Sequence, residues 1–387
     1  MELKRLGNYI REVNVRNRDL KVTTPMGINI DKYFMPSVAN VIGTDLSVYK
    51  LVAKKQFACN LMHVGRDERI PMAMLTDNNP IIVSPAYFVF EVVKQNDLLP
   101  EYLMMWFRRQ EFDRNAWFYT DADVRGGLDK DALCNMRLPI PSITRQREIV
   151  SEYTTLTNRI RLNEQMISKL EDTAQTLYRK MFVDGIDKEN LPEGWRMGTL
   201  GEVAEIKGGK RLPKGEELQT EKNTHPYIKV ADMCNYKYLI MRDSIQYVHD
   251  DIQKQIQQYI VNSGDIILSI VGTIGNVNII DDSLNNANLT ENCVKLIHLR
   301  EVSSHYLYSF LTSKEGQHII EQCVVGGVQG KLPIYNINNI KLIIPTSETL
   351  KDFDLKQMAI DAEMKLIIKE NSKLTELQSL LLARMGQ

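Results

Sequence analysis

The chain has 387 residues, 43% of them apolar and 25% charged, with 48 basic against 49 acidic side chains. At roughly 100–200 residues per domain this length argues for two or three domains, and a formal net charge of −1 excludes a nucleic-acid binder that works by bulk positive charge, though not one whose charge is local. No apolar run approaches the ~20 residues of a membrane span, the start Met1-Glu-Leu-Lys-Arg-Leu-Gly7 has no signal-peptide core, and five dispersed cysteines without a C-x-x-C pair exclude a disulfide framework or cysteine-zinc module and fit the reducing cytoplasm.

The first 145 residues have a mixed pattern. Ile81–Val83 and Tyr87–Val93 read as strands, and Pro100–Phe112 as a helix. Trp106-Phe107 and Trp117-Phe118-Tyr119 read as core rather than as platforms for stacked bases. From Ile149 the seam Tyr153, Leu156, Ile160, Asn163, Ile167, Leu170, Ala174, Leu177 and Met181 alternates by four and three, the signature of a coiled-coil helix. Ser142 or Thr144 supplies its N-cap and Gly185 its stop. Residues 184–194 (DGIDKENLPEG) form a linker. Strands are then expected over Asp265–Val271, Asn276–Ile280 and Val294–Leu299, and a helix over Ser303–Cys323. A second heptad segment follows along Phe353, Gln357, Ile360, Met364, Ile367, Asn371, Leu374, Gln378, Leu381 and Met385. Its N-cap is Thr346 or Ser347 and its stop Gly386.

The chain repeats itself. Tyr102-Leu103 returns as Tyr306-Leu307, Leu138-x-Ile140-Pro141 as Leu342-x-Ile344-Pro345, Ser168-Lys169-Leu170 as Ser372-Lys373-Leu374 and Met181 as Met385, always 204 positions later. Gly126/Gly330, Leu128/Leu332 and Leu133/Ile337 keep the same offset. Nearer the front it drifts, since Leu6-Gly7 corresponds to Leu200-Gly201. Each half is therefore an α/β globule with a variable front, followed by one long helix of roughly 50 Å at 1.5 Å per residue. If the two helices pair antiparallel about a pseudo-twofold, facing residue numbers add to a constant. Placing Asn163 against Asn371 makes that constant 534, centred on the seam, and puts an a position opposite a d position. These asparagines are expected to pair and fix the register; the alternative is that both are solvated at a ragged seam.

Several segments resemble the specificity subunits of type I restriction-modification systems. Leu191-Pro-Glu-Gly-Trp195 with Leu200-Gly-Glu-Val-Ala-Glu-Ile-Lys-Gly-Gly-Lys210, and Pro226-Tyr-Ile-Lys-Val-Ala-Asp232, look like that family's opening of a target-recognition domain. Ser263-Gly-Asp-Ile-Ile-Leu-Ser269 before Gly272 is similar to its central strand. Gly326-Gly-Val-Gln-Gly-Lys-Leu332 with Leu342-Ile-Ile-Pro345 resembles the motif before the coiled-coil helix, and Leu138-Pro-Ile-Pro141 with Gln146-Arg-Glu-Ile149 matches its continuation. The first half departs by lacking the Leu-Pro-x-Gly-Trp opening, and Leu350 stands where Gln146 predicts glutamine.

The resemblance implies an α+β fold of two α/β target-recognition domains separated by a long antiparallel two-helix coiled coil. The expected divisions are 1–145 for the first recognition domain, 146–185 for the central helix, 186–345 for the second recognition domain and 346–387 for the C-terminal helix. It further implies a subunit without chemistry or cofactor of its own. Each domain would read one half of a bipartite, asymmetric site in double-stranded DNA. The coiled coil would set the gap and dock two methyltransferase (M) subunits, which restriction (R) subunits join in the full complex.

Other chemistries find little support. Asn79-Pro80-Ile81 lacks the second proline and the aromatic residue of a DNA methyltransferase loop, and Gly330-Lys331-Leu332 fails the phosphate-loop pattern. Asp352-Phe-Asp-Leu-Lys356 has nuclease-like residue types, but acids at a helix start favour the N-terminal turn in any case. The six histidines show no metal-ligand spacing. A methyltransferase or nuclease with an unrecognised motif, and a scaffold that does not touch DNA, are the competing readings. For DNA contact, Lys207-Gly-Gly-Lys210-Arg211 gathers three cations around two glycines, so that amides and side chains could both approach a phosphate. Lys229, Gln329 and Lys331 are further candidates, as are Arg16, Arg18, Arg66, Arg69 and Arg125 in the first domain. Divided by segment, residues 1–145 carry 20 basic and 17 acidic groups, and residues 186–345 carry 16 and 19. Neither domain is basic as a whole, so local patches and partner subunits must provide the electrostatic grip.

Overall fold

The computed structural model describes residues 3–37, 43–62, 64–120, 126–327 and 330–386. The chain divides into two compact units, residues 1–160 with 373–387, and residues 161–372. Each has an α/β globule and a length of paired helix.

In the first unit, β1 (Leu3–Arg5) pairs antiparallel with β10 (Arg137–Pro139), Leu3 opposite Pro139. Between them lie β2 (Ile10–Glu12), β3 (Pro25–Ile28), β4 (Phe34–Pro36), β5 (Lys50–Val52), β6 (Phe57–Cys59), β7 (Met72–Met74), β8 (Ile81–Val83) and β9 (Phe88–Val92). They form two sheets, in the orders β2-β9-β6-β7 and β4-β3-β8-β5. Period-two alternation explains the layers. Phe57, Cys59, Phe88 and Phe90 face the core that contains Leu103 and Phe107, whereas Ala58 and Val89 face Val52 and Val83 of the second sheet. A sheet covered on both faces needs apolar residues at every position, and the strands are short continuous apolar runs for that reason. The helices are α1 (Val64–Asp67), α2 (Pro100–Phe107), α3 (Gln110–Phe118), α4 (Lys130–Asn135) and α5 (Ile143–Phe182), the last extending into the second unit.

The second unit repeats this plan. Its elements are β11 (Arg196–Thr199), α6 (Leu200–Val203), β12 (Glu205–Gly208), β13 (Pro226–Ile228), β14 (Tyr238–Leu239), β15 (Gln246–Tyr247), α7 (Asp250–Ile256), β16 (Ile260–Val261), β17 (Ile266–Ser269), β18 (Val277–Ile280), β19 (Ala287–Leu289), β20 (Cys293–Ile297), α8 (Ser304–Thr312), α9 (Lys314–Gln322), α10 (Ile334–Asn338), β21 (Lys341–Ile344) and α11 (Ser347–Arg384). The sheet orders are β12-β20-β17-β18-β14 and β15-β13-β19-β16, so only β14 has no counterpart strand among the described residues of the first unit. β11 pairs with β21 as β1 does with β10.

The constant offset has a physical basis. Tyr102 Oη donates to Pro139 O at 3.2 Å, and Tyr306 Oη donates to Ile343 O. Leu6 N–H bonds Met136 O and Leu200 N–H bonds Ile340 O, both at 2.9 Å. A Cβ on Gly7 would lie 3.1 Å from Cys134 Cβ, and one on Gly201 would lie 2.7 Å from Asn338 Oδ1, so the same close crossing recurs. Gln146, fully buried, accepts from Leu99 N at 2.9 Å and donates to Asp97 O and Pro141 O. Leu350 at the repeated position joins the apolar core instead.

The helices predicted over Pro100–Phe112 and Ser303–Cys323 are each two helices. Arg109 is extended (ψ 139°) between α2 and α3. Ser313 is extended (ψ 158°), and its side chain accepts from Gly316 N to start α9. Trp117, Phe118 and Tyr119 are 46%, 79% and 51% exposed, so they are not core; α3 turns Phe112, Asp113 and Ala116 inward and leaves its last turn to solvent. Ser142 Oγ accepts from Arg145 N, and Thr346 Oγ1 from Thr349 N, which makes these two residues the caps.

Within the second unit α5 and α11 run antiparallel. Facing residue numbers add to 534 for Asn163/Asn371, 531 for Tyr178/Phe353 and 535 for Phe182/Phe353. Within the first unit Gln378 Nε2 donates to Thr157 Oγ1 at 2.7 Å, a pair that adds to 535. Tyr178 and Phe182, outside the expected seam, are buried against Tyr306 and Phe353 because the globule covers that side of the helix. On the same side Lys237, with no exposed surface, places its ammonium 2.8 Å from both Asp361 oxygens, and Tyr238 Oη donates to Asp361. Burial drives the Lys237 pKa down, and Asp361 opposes that shift.

Asn163 Nδ2 donates to Asn371 Oδ1 at 2.8 Å and to Glu370 Oε2 at 2.7 Å, with Asn163 buried. Removing one partner of such a bond strands the other, at about 1–3 kcal/mol, whereas apolar replacement of both is near neutral. Asn163→Leu and Asn371→Leu are therefore each expected to lower unfolding stability by about 1–2 kcal/mol, and the double replacement Asn163→Leu/Asn371→Leu to restore most of it. A denaturant-unfolding cycle in which the two changes are simply additive would contradict the pairing energy.

Candidate nucleic-acid interface

The sequence Lys207-Gly-Gly-Lys-Arg211 leaves β12 and crosses the turn between β19 and β20. The crossing is tight, since a Cβ on Gly209 would lie 2.1 Å from Thr290 O and 2.4 Å from Leu289 O. Gly209 N–H donates to Cys293 O at 3.0 Å and Lys210 N–H to Leu289 O at 2.8 Å. These two amides are used inside the fold, so they do not serve an anion as expected; the glycine is there for close backbone approach.

The side chains point to a different economy of charge. Arg211 Nε lies 2.5 Å from Glu291 Oε1, and Lys207 Nζ lies 2.6 Å from Glu205 Oε1. Glu205 also meets His298 Nδ1 at 2.7 Å. Burial would raise the Glu291 pKa, but the bond from Arg211 and its own backbone and Thr290 bonds outweigh it and hold the carboxyl below its usual range. Lys210 Nζ sits 5.7 Å above the ring of Tyr259, and Tyr227 Oη donates to Lys210 O. Lys229, directly after β13, donates to Gln246 Oε1 at 2.7 Å.

These residues lie around one end of the second globule. Thr290 N bonds Ile228 O beside Lys229, Ile270 N bonds Asn292 O, and Leu332 N bonds Ile270 O beside Lys331. The structure thus places Lys207 within β12, opposite Lys295, and Lys210, Arg211, Lys229 and Lys331 on segments strung about residues 289–293. Lys331 is exposed, and its ammonium has no partner among the described residues.

The first-unit candidates are more scattered. Arg16 Nη1 donates to Val48 O at 2.5 Å and forms a β-bridge with Lys50, and Arg18 is exposed two residues on. Arg69 lies 3.6 Å from Asp31 on another loop. Arg66 belongs to α1; there Gly65 N–H donates to Gly126 O at 2.7 Å, and a Cβ on Gly65 would lie 2.6 Å from Gly126 Cα. Arg125 and Gln329 lie outside the described residues. Glu291 and Tyr259 escaped sequence reasoning, because only the register of β12 on β20 brings Glu291, and only the tertiary contact with Lys210 brings Tyr259, beside the cationic loop.

Three comparisons bear on this chain. Residues 192–380 match the family model described as the type I restriction modification DNA specificity domain. Among curated proteins, the type I restriction enzyme HindI specificity subunit of Haemophilus influenzae is 22% identical over 428 aligned positions, covering 92% of this chain and 91% of that one. The MjaVIII specificity subunit of Methanocaldococcus jannaschii is 22% identical over 261 positions, covering 64% of this chain and 60% of that one. Among solved structures, the type I restriction-modification S subunit from M. genitalium aligns over 100% of this chain and 96% of that one, at a TM-score of 0.52 and 12% identity, a likeness of fold.

Replacing Glu291 by glutamine frees Arg211 while keeping the side chain's shape. The Glu291→Gln chain is expected to bind duplex DNA several-fold more tightly at low salt, with a steeper salt dependence as one more cation meets phosphate. Filter binding across a salt series checks this; an unchanged slope would remove Arg211 from the interface.

Proposed function

We propose, for a chain that belongs to the type I restriction-modification specificity subunits, that it reads a bipartite, asymmetric site in double-stranded DNA, one half with each globule. The observation that carries this is the duplication itself. Two units share sheet order apart from β14, closing strand pair and tyrosine anchor, yet residues 29–33 join β3 to β4 where residues 229–245 join β13 to β15. One scaffold kept twice, with its loops free to diverge, suits two readers of different sequences. The cationic loops of the second globule support phosphate contact, and arginine or glutamine at base edges would carry the specificity.

The paired helices are proposed to act as spacer and as the docking surface for two methyltransferase subunits, which restriction subunits would join. The chain is proposed to lack catalysis of its own. Arg211, Lys207, Arg69 and Arg16 already have acidic or carbonyl partners, so binding by this subunit alone is expected to be weak and salt-sensitive. Methyltransferase partners then supply the remaining grip.

Two measurements test this. Incubated alone with labelled S-adenosylmethionine and DNA, the chain should transfer no methyl group, and turnover would establish the methyltransferase alternative. Arg211→Ala should weaken DNA binding by the assembled complex and lower the salt slope by about one; equal affinity and slope would count against that loop.

A further inference from the structure

Strand β7 is the outer strand of its sheet in the first unit, whereas its counterpart β18 is covered by β14. The correspondence is fixed residue by residue. Phe57 faces Met74 as Ile266 faces Ile279. Leu75 N–H bonds Gln56 O, and Ile280 N–H bonds Asp265 O, both at 2.9 Å. In the second unit Ile279 N–H and Asp281 N–H point outward and donate to Lys237 O and Leu239 O, at 2.8 and 3.0 Å. The same outward donors in the first unit are Met74 N–H and Thr76 N–H. Neither has an acceptor among the described residues.

Those two donors border a groove of about 440 Å³ walled by Met74, Leu75, Met104, Tyr153 and Thr157. The loops explain its origin. Residues 229–245 join β13 to β15 and include β14, but only Asn29–Tyr33 joins β3 to β4. The short loop does place one buried lysine, Lys32, whose ammonium lies 2.7 Å from Asp113 Oδ1, yet it supplies no strand. An edge with unused donors beside a groove is a template for a strand from elsewhere.

We infer that the groove beside β7 is a docking site for an extended segment of a partner polypeptide, added parallel to β7 as β14 is added to β18. Its carbonyls, two residues apart, accept from Met74 and Thr76. The walls also set its chemistry. Around Lys237 the second unit places Asp361, Gln357 and Tyr308; at the positions 204 earlier stand Thr157, Tyr153 and Met104. None of these three is a carboxylate; of the two carboxylates that do line the groove, Glu101 already meets Lys55 at 3.0 Å and Asp77 accepts from Asn79 N–H at 2.8 Å, and Lys32 lies in the wall, so the residue at the Lys237 position of the incoming segment is uncharged. This site is separate from the proposed DNA contacts.

The test uses the full chain and a capped synthetic peptide with the β14 sequence, residues 235–241, in two forms: unaltered and with Lys237→Ser. The serine form should bind saturably, at one per chain and roughly tenfold more tightly than the lysine form. It should slow hydrogen exchange at the Met74 and Thr76 amides. Thr76→Pro, which removes one donor at an exposed strand end, should weaken binding at least tenfold and leave DNA affinity unchanged. If that variant unfolds at a lower temperature than the parent, the exchange measurement on the unaltered chain decides. Absence of saturable binding, unprotected amides, or preference for the lysine form overturns the inference. A concentration-dependent dimer of the chain that protects the same amides also overturns it, because the occupant is then a second copy.

Discussion

Each globule is closed by two strands from opposite ends of its sequence. Leu3–Arg5 pairs with Arg137–Pro139, and Arg196–Thr199 with Lys341–Ile344, in each case immediately before a long helix. A tyrosine hydroxyl bonds a carbonyl of the closing strand, and a glycine lets the first helical turn touch the short helix that precedes it. Because this closure must form whatever the intervening loops do, it constrains sequence where the repeat keeps its offset and leaves the front free. The helix direction at the exit of each globule follows from the same ladder, so the variable surface is tied to the helix by a fixed fitting.

The parts legible in the sequence were those set by periodicity or by repetition. Heptads located both helices and their seam, and the repeat paired Tyr102 with Tyr306 and Leu138–Pro141 with Leu342–Pro345, without marking the latter two as closing strands. Asn163 and Asn371 stand in contact where a constant facing sum places them. Pairings between distant segments were not legible. Nothing local marks Glu291 as the partner of Arg211, or Lys237 as a buried lysine bound to Asp361. The breaks at Arg109 and Ser313 had local signals that the apolar periodicity overrode: Arg108-Arg109-Gln110 is a polar run, and Ser313 caps α9 by accepting from Gly316 N. Trp117, Phe118 and Tyr119 were misplaced because three adjacent aromatics suggest core, although the inward positions of their helix are Phe112, Asp113 and Ala116.

The near-neutral charge of the chain is arranged rather than merely averaged. The globule with the clearest cationic loops has an excess of acidic groups, and several of those acids sit directly on the cations: Glu291 on Arg211 and Glu205 on Lys207. On the proposed reading a phosphate would have to displace a carboxylate at each place, which would suppress indiscriminate binding and leave specificity to loops that fit the correct sequence. Lys210, Lys229 and Lys331 are the cations of that surface without carboxylate partners among the described residues. The tight crossing at Gly209 fixes the backbone that carries Lys210 and Arg211, so on the proposed reading the loop would meet phosphate with little ordering cost.

The central claim is that two units of one plan read two separate half-sites. Selection of bound duplexes from a random-sequence pool, using the chain assembled with the proposed methyltransferase partner, tests it most directly. The account predicts two specified blocks of different sequence separated by a gap of fixed length and unspecified bases. A single contiguous block, or two blocks at variable spacing, would contradict it.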